Sequence, residues 1–168
     1  TVGVYNYKTG EILCAVTSPS YDPDNMPDVE ADTSGAYDGV YVNRFFQAAY
    51  TPGSIFKIVT LAAAIETVPD WENLTFTCEG KTIIGGQEII CEGVHGTITL
   101  KQALAHSCNV YYGELASALG KDALQAACDK LGLNGTLTCD GYTARSTVDL
   151  SDADDGSVAW AGIGQYTD

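Results

Sequence analysis

Residues 50–69 read Tyr50-Thr51-Pro52-Gly53-Ser54-Ile55-Phe56-Lys57-Ile58-Val59-Thr60-Leu61-Ala62-Ala63-Ala64-Ile65-Glu66-Thr67-Val68-Pro69. From Ser54 to Val68 nearly every position is apolar on all sides of a helix. Lys57 and Glu66 break the run and Pro69 closes it. A helix apolar all round belongs inside a fold. The Pro52-Gly53 turn delivers the chain to the helix N-terminus, so Ser54 is expected in the first turn, where unpaired N–H groups point outward. Lys57 is the anomaly. Inside an apolar helix an amine must either reach solvent or be held near neutrality, because burial lowers a lysine's pKa. Ser54 lies three residues earlier on the same face. A desolvated amine beside a serine hydroxyl can take its proton and make it a nucleophile. The other reading is that Ser54 caps the helix while Lys57 snorkels to water. Ser-x-x-Lys alone is short and common by chance, and by itself favours the second.

Around this helix the chain has 168 residues, with 8 Lys and Arg against 22 Asp and Glu, a net charge of −14. The few cations are scattered from Lys8 to Arg145, which excludes a phosphate-tracking surface and most nucleic-acid binders. An apolar fraction of 45% lies in the globular range. The longest apolar run, near Ile58 to Ile65, is too short to cross a bilayer. The chain opens on Thr1-Val2 and stops at Asp168 after an apolar, Gly-containing run, so both ends read as cuts that leave any anchor or export signal outside it.

Val2 to Tyr7 and Glu11 to Val16 alternate around Lys8-Thr9-Gly10, the pattern of a hairpin over residues 1–17. Pro19, Pro23, Pro27 and many aspartates make 18–42 an acidic loop. Residues 99–131 are helical: Thr99 is a good N-cap, a second stretch runs from Val110 to Leu119 before Gly120, and a third from Lys121 to Leu131 ends at Gly132. Thr143 to Ser157 reads as acidic loop, and Val158 to Ile163 is too short to assign. Between two helices lies Ser107-Cys108-Asn109. There a serine could relay a proton to a departing amine and an asparagine could hold a substrate amide. Ser and Asn are also ordinary turn residues.

Six cysteines allow one or two bridges. Cys78 and Cys91 flank a segment with Gly85-Gly86 near its middle, a hairpin over 78–91 whose arms would bring the two sulfurs together as a disulfide; two small buried thiols are the alternative. A zinc reading with Cys78, Cys91 and His95 lacks an obvious fourth ligand and the tight spacing of structural sites, so no metal and no cofactor is expected.

Taken with their flanks, these segments resemble the penicillin-binding transpeptidase family, the serine acyltransferases that cross-link bacterial peptidoglycan. Asn43-Arg44 and Tyr50-Thr51-Pro52-Gly53-Ser54-Ile55-Phe56-Lys57 are similar to the family's Asn-Arg and Tyr-x-Pro-Gly-Ser-x-Phe-Lys segment around its active serine. His95-Gly96-Thr97 and Leu104 to Val110 resemble the segment carrying its Ser-x-Asn motif. Lys8 to Leu13 and Ser18 to Pro23 are similar to its first hairpin. Ala161-Gly162-Ile163-Gly164-Gln165 resembles its Ile-Gly-Gln stretch, although Tyr166 stands where glycine is usual. The resemblance spans residues 1 to about 165 in family order.

That resemblance implies an α+β fold of the β-lactamase/transpeptidase kind, a helical subdomain with part of an antiparallel sheet. Ser54 would be the nucleophile, Lys57 its base, Ser107 the proton relay and Asn109 the holder of the donor's amide. The substrates would be stem peptides ending in D-Ala-D-Ala, with β-lactams as mimics, and the parent would be membrane-anchored and extracytoplasmic. The third motif, Lys-Thr-Gly on a strand after Ser-x-Asn, has no counterpart: Lys8-Thr9-Gly10 precedes the serine and reads as a turn. The family draws one oxyanion donor from that strand, and one such donor is worth ~3 kcal/mol. The fragment itself is therefore expected to be near-inert, and its exposed sheet edges to favour self-association. A carboxypeptidase or serine β-lactamase of the same fold is the next reading, a membrane-bound β-lactam sensor a more distant one. A non-catalytic acidic binding or scaffold module is the alternative from another class.

Overall fold

The computed structural model describes residues 1–139 and 141–166. In chain order its elements are β1 (Val2–Tyr5), β2 (Ile12–Val16), a 3-10 turn (Gly53–Phe56), α1 (Lys57–Thr67), a second 3-10 turn (Trp71–Asn73), β3 (Thr75–Cys78), β4 (Lys81–Ile84), β5 (Gln87–Ile90), β6 (Gly96–Thr99), α2 (Leu100–Ala105), α3 (Asn109–Lys130), β7 (Gly135–Cys139), β8 (Tyr142–Ser146) and α4 (Asp155–Gly162). Helices and two-stranded sheets mix in the α+β manner, with strand pairs β1–β2, β3–β6, β4–β5 and β7–β8.

The chain divides into two compact units. One comprises Thr1–Ala49 with Thr136–Ser146, the other Tyr50–Gly135 with Thr147–Asp168. In the first, β1 and β2 pair antiparallel with Val4 opposite Cys14. Lys8-Thr9-Gly10 forms the turn between them, where Gly10 takes a φ of 76° and donates its N–H to Asn6 O at 2.8 Å. The acidic segment is held by its own turns and by Arg44, whose guanidinium donates to Ser18 O at 2.8 Å and to Asp38 O at 2.7 Å.

The second unit carries the core. Val110, Tyr111, Tyr112 and Leu115 of α3 pack with Ile84, Ile89, Ile98 and Ala159, and further along Ala116, Leu124 and Cys128 meet Phe56, Val59 and Val158. Gly120 interrupts α3 with φ 78° and ψ 165°, so it is two helical stretches meeting at a bend. Thr99 caps α2 through a reciprocal box with Gln102. At the tip of β4–β5, Gly85 and Gly86 take φ 55° and 80°, the paired left-handed values of a two-residue hairpin turn.

Three differences from the sequence reading have local causes. The all-apolar helix is not buried on every side: Ile55, Ile58 and Ile65 are 71%, 61% and 45% exposed, while Val59, Thr60, Ala63 and Ala64 face inward. Periodicity cannot rank the faces of a uniformly apolar helix; here packing against α3 and α4 selects one. The stretch 143–157 is not all loop, because β8 pairs with β7 and Asp154 starts α4 by accepting the Ser157 N–H at 2.7 Å. Cys78 and Cys91 flank the β4–β5 hairpin with their sulfurs within 4.8 Å of each other but are not bridged, and Cys78 lies outside that hairpin. It ends β3, opposite Gly96 of β6, and all six cysteines are free thiols.

Candidate active site

The 3-10 turn begins at Gly53, whose φ of 60° lets the chain reverse into the helix and whose N–H donates to Gly164 O at 2.9 Å. Gly164 lies so close that a Cβ there would come 2.1 Å from Gly53 O. Thr60 Oγ1, fully buried, donates to Gly162 O at 2.8 Å. Two contacts from the end of α4 thus fix the helix that bears Ser54 and Lys57. Neither Gly53 nor Gly164 signals this through hydropathy; the local signal is a Pro-Gly pair ahead of a helix.

Ser54 is exposed at the rim of this turn, and Lys57 is buried at 1% exposure. Lys57 Nζ lies 3.1 Å from Ser54 Oγ, 2.9 Å from Ser107 Oγ, 2.6 Å from Ser107 O and 2.7 Å from Asn109 Oδ1. The snorkelling reading is overturned, since the amine turns inward to four oxygens. The ion pairs among the described residues, Lys81–Glu88 and Lys130–Glu66, leave it without a carboxylate partner. Burial lowers its pKa from the ordinary 10.5, partly countered by Cys91, Cys108 and Glu92.

Four oxygens around one amine decide what it can do. A carbonyl and an amide oxygen only accept, so Ser107 O and Asn109 Oδ1 claim two N–H donors. The third position is shared by two hydroxyls, each able to accept a proton from an ammonium or to donate to the lone pair of a neutral amine. Deprotonated, Lys57 is therefore a base aimed at Ser54 Oγ, with Ser107 Oγ within one transfer of the same nitrogen.

Ser107 reaches this position by strain. Its φ of 51° makes it the non-glycine residue with positive φ among those described, and it turns both its carbonyl and its hydroxyl toward Lys57. Asn109 opens α3, and its Nδ2 donates to Ile90 O at 2.9 Å, which fixes which end of the amide faces Lys57. A second Nδ2 hydrogen remains for a ligand. The structure thus brings Ser54, Lys57, Ser107 and Asn109 together, and adds the Ser107 and Ile90 carbonyls, which no side-chain pattern could have indicated.

The chain as a whole is similar to known proteins. The penicillin binding protein transpeptidase domain, as a family model, matches residues 1–166. The chain belongs to the penicillin-binding protein transpeptidase family. Within it the chain is similar to the peptidoglycan D,D-transpeptidase PbpA of Mycobacterium tuberculosis, 33% identical over 143 residues, covering 75% of this chain and 28% of that protein. It is also similar to stage V sporulation protein D of Bacillus subtilis, 36% identical over 124 residues, covering 71% of this chain and 18% of that protein. Among solved structures, the D,D-transpeptidase domain of a peptidoglycan glycosyltransferase from Eggerthella lenta superposes with a TM-score of 0.79 at 32% identity, covering 92% of this chain and 39% of the other. A penicillin G acyl-enzyme complex of penicillin-binding protein A from M. tuberculosis superposes at 0.77 and 28% identity, covering 93% and 39%. The chain spans less than a third of the length of these curated relatives.

Beside the four polar groups the chain carries a cluster of thiols. Cys78, Cys91 and Cys108 gather with His95, their ligand atoms all within 4.8 Å of one another. Burial pushes the Cys108 thiol up to about 12. Burial also raises Cys91, but the N–H groups of Asn109, Gly93 and Val110 and the Cys108 thiol outweigh it, and its net shift is downward. Among the described residues no helix is long and apolar enough to cross a membrane.

Proposed function

We propose that this domain is the acylating part of a peptidoglycan D,D-transpeptidase, acting outside the cytoplasm on stem peptides ending in D-Ala-D-Ala and acylated by β-lactams. The observation that carries the proposal is the buried Lys57 amine, 3.1 Å from an exposed Ser54 hydroxyl and without an anionic partner among the described ion pairs.

Ser54 Oγ attacks the carbonyl of the penultimate D-alanine as its proton passes to Lys57 Nζ. The carbon–nitrogen bond then breaks, and the proton held at Lys57 reaches the departing nitrogen through Ser107 Oγ, 2.9 Å away. Terminal D-alanine leaves and an ester remains on Ser54. An acceptor amine from a second stem attacks that ester, forms the cross-link amide and returns the proton to Ser54. The free Nδ2 hydrogen of Asn109 binds the donor's backbone carbonyl. No step calls for a metal or an organic cofactor. The likeness to proteins named D,D-transpeptidases and to a penicillin G acyl-enzyme supports this reading.

The test is covalent labelling of the full-length protein by a fluorescent penicillin, followed by Ser54→Ala. Label is expected on the peptide containing Ser54 and absent from the variant. Persistence of label in Ser54→Ala overturns the assignment. Incubation with a D-Ala-D-Ala stem peptide and an acceptor amine is expected to give a cross-linked dimer; D-alanine release alone would make the protein a carboxypeptidase.

A further inference from the structure

Cys78, Cys91, His95 and Cys108 take no part in that chemistry, yet four separate backbone features aim them at one point. Cys78 ends β3 and Cys91 follows β5, where its N–H donates to Gly80 O at 2.8 Å. His95 precedes β6 and its N–H donates to Cys78 O at 3.1 Å, while Cys108 is the N-cap of α3. Cys91 Sγ lies 3.8 Å from Cys108 Sγ and 3.7 Å from His95 Nδ1.

These separations have a chemical meaning. A disulfide requires sulfurs about 2.05 Å apart, far shorter than 3.8 Å. A tetrahedron with zinc–sulfur bonds of about 2.3 Å has sulfur–sulfur edges of about 3.8 Å, and a sulfur–nitrogen edge comes to about 3.6 Å. Both observed separations are close to these edges. Backbone N–H groups also face the sulfurs: Tyr111 N donates to Cys108 Sγ at 3.3 Å, and the amides of Gly93, Asn109 and Val110 face Cys91. Such donors are wasted on neutral thiols packed as small apolar groups and suit sulfur that carries negative charge. The His95 ring stacks on His106 at 5.0 Å, which fixes the plane in which Nδ1 points inward.

We propose that Cys78, Cys91, His95 and Cys108 form a closed, structural zinc site that positions the Ser107–Asn109 turn. Three thiolates and one imidazole in a tetrahedron select zinc over the harder divalent ions, and the absence of a carboxylate in the set argues in the same direction. With four protein ligands no coordination position remains for water or substrate, so the role is architectural. Binding displaces the three thiol protons to solvent, which supplies the deprotonation that burial opposes at Cys108. Cys108 lies between Ser107 and Asn109, and Cys91 follows Ile90, whose carbonyl holds the Asn109 amide. The metal would thereby clamp both sides of the strained turn that presents two oxygens to Lys57. The site stands independently of the acyl-transfer reading.

The test is metal content and cobalt substitution of the full chain. About one zinc per chain is expected, and the cobalt form is expected to show the intense visible absorption of a tetrahedral ion together with thiolate-to-cobalt charge transfer. Cys78→Ser, Cys91→Ser, Cys108→Ser and His95→Ala should each weaken binding by about tenfold or more, whereas Cys14→Ser should not. Should a ligand variant fail to fold, chelation of the wild-type chain serves in its place. Removing zinc should speed amide hydrogen exchange at residues 107–111, and re-addition should restore protection. A wild-type chain that takes up no cobalt, a disulfide between any two of Cys78, Cys91 and Cys108 in zinc-replete protein, or exchange at 107–111 indifferent to the metal overturns the proposal.

Discussion

The two compact units use their apolar residues in opposite ways. In the unit built on Tyr50–Gly135 and Thr147–Asp168, Leu115, Leu124, Tyr111 and Tyr112 are wholly buried. In the unit built on Thr1–Ala49 and Thr136–Ser146, Val2, Tyr5, Leu13 and Val16 are 63%, 63%, 61% and 54% exposed, and Val40 is the core residue among those described. A two-stranded hairpin without a buried face is marginal in water, so the order of the first unit comes from turns and polar clamps such as Arg44 on Ser18 and Asp38. The second unit has a packed interior stiff enough to hold an amine away from water and a serine at positive φ. Precise chemistry belongs where packing can oppose strain.

The largest expected effect tests that link. Lys57→Arg keeps a cation but cannot deprotonate at working pH; acylation of the full-length protein by β-lactam is expected to fall about 10²- to 10⁴-fold, the usual worth of a general base. Stopped-flow labelling measures it. The pH dependence follows from the lowered pKa of Lys57. The neutral amine gains population as pH rises through that value, so the wild-type rate should climb and level off below 10.5, and the variant should show no such rise. Stability shifts the same way, because between the lowered value and 10.5 the unfolded chain binds the proton and the folded one does not. Tyr111, raised to about 12 by burial, opposes this above about pH 10, where its unfolded phenol ionises first.

Packing effects come next. Leu115→Ala should destabilise the second unit by about 2–5 kcal/mol in denaturant titration, the range for a large side chain removed from a closed core. Gly164→Ala should cost about 3 kcal/mol, from a Cβ forced within 2.1 Å of Gly53 O at a φ of 74°. It should also slow acylation, since the same contact holds the serine turn. A Gly164→Ala protein that labels at the wild-type rate would show that the turn does not need α4.

How much of this the sequence discloses depends on the range of each interaction. Ser54 and Lys57 are legible because three residues of helix already put them on one face, and Thr99 is legible because a cap acts within one turn. The Ser107 carbonyl on Lys57 is not legible, because it requires a positive φ that only the assembled site imposes. Cys108 escapes notice as a fourth ligand for Cys78, Cys91 and His95 because it belongs to a motif read for Ser107 and Asn109, and sequence spacing does not report that β3, the end of β5 and the start of α3 converge. The exposed Ile55, Ile58 and Ile65 are illegible for the opposite reason: a helix with no polar face gives no hint of which side will be covered. The helix α4 hides behind a short apolar run whose cap, Asp154, lies in a stretch of aspartates that all look alike.

The smallest expected effect bears most directly on the contrast between the units. Leu13 lies on β2 at 61% exposure, and truncating it removes little that folding took from water. Leu13→Ala should change stability by less than about 0.5 kcal/mol, as for surface substitutions generally, against several for Leu115→Ala. Thermal unfolding of the two variants beside the wild type measures the ratio. A large loss from Leu13→Ala would mean that β1–β2 is covered in solution by a second copy or another segment, because an exposed leucine has no other way to cost so much. Protein concentration separates those causes: a midpoint that rises with concentration in the wild type and not in Leu13→Ala identifies self-association through the strand edge, while a midpoint fixed in both points to a segment of the same chain.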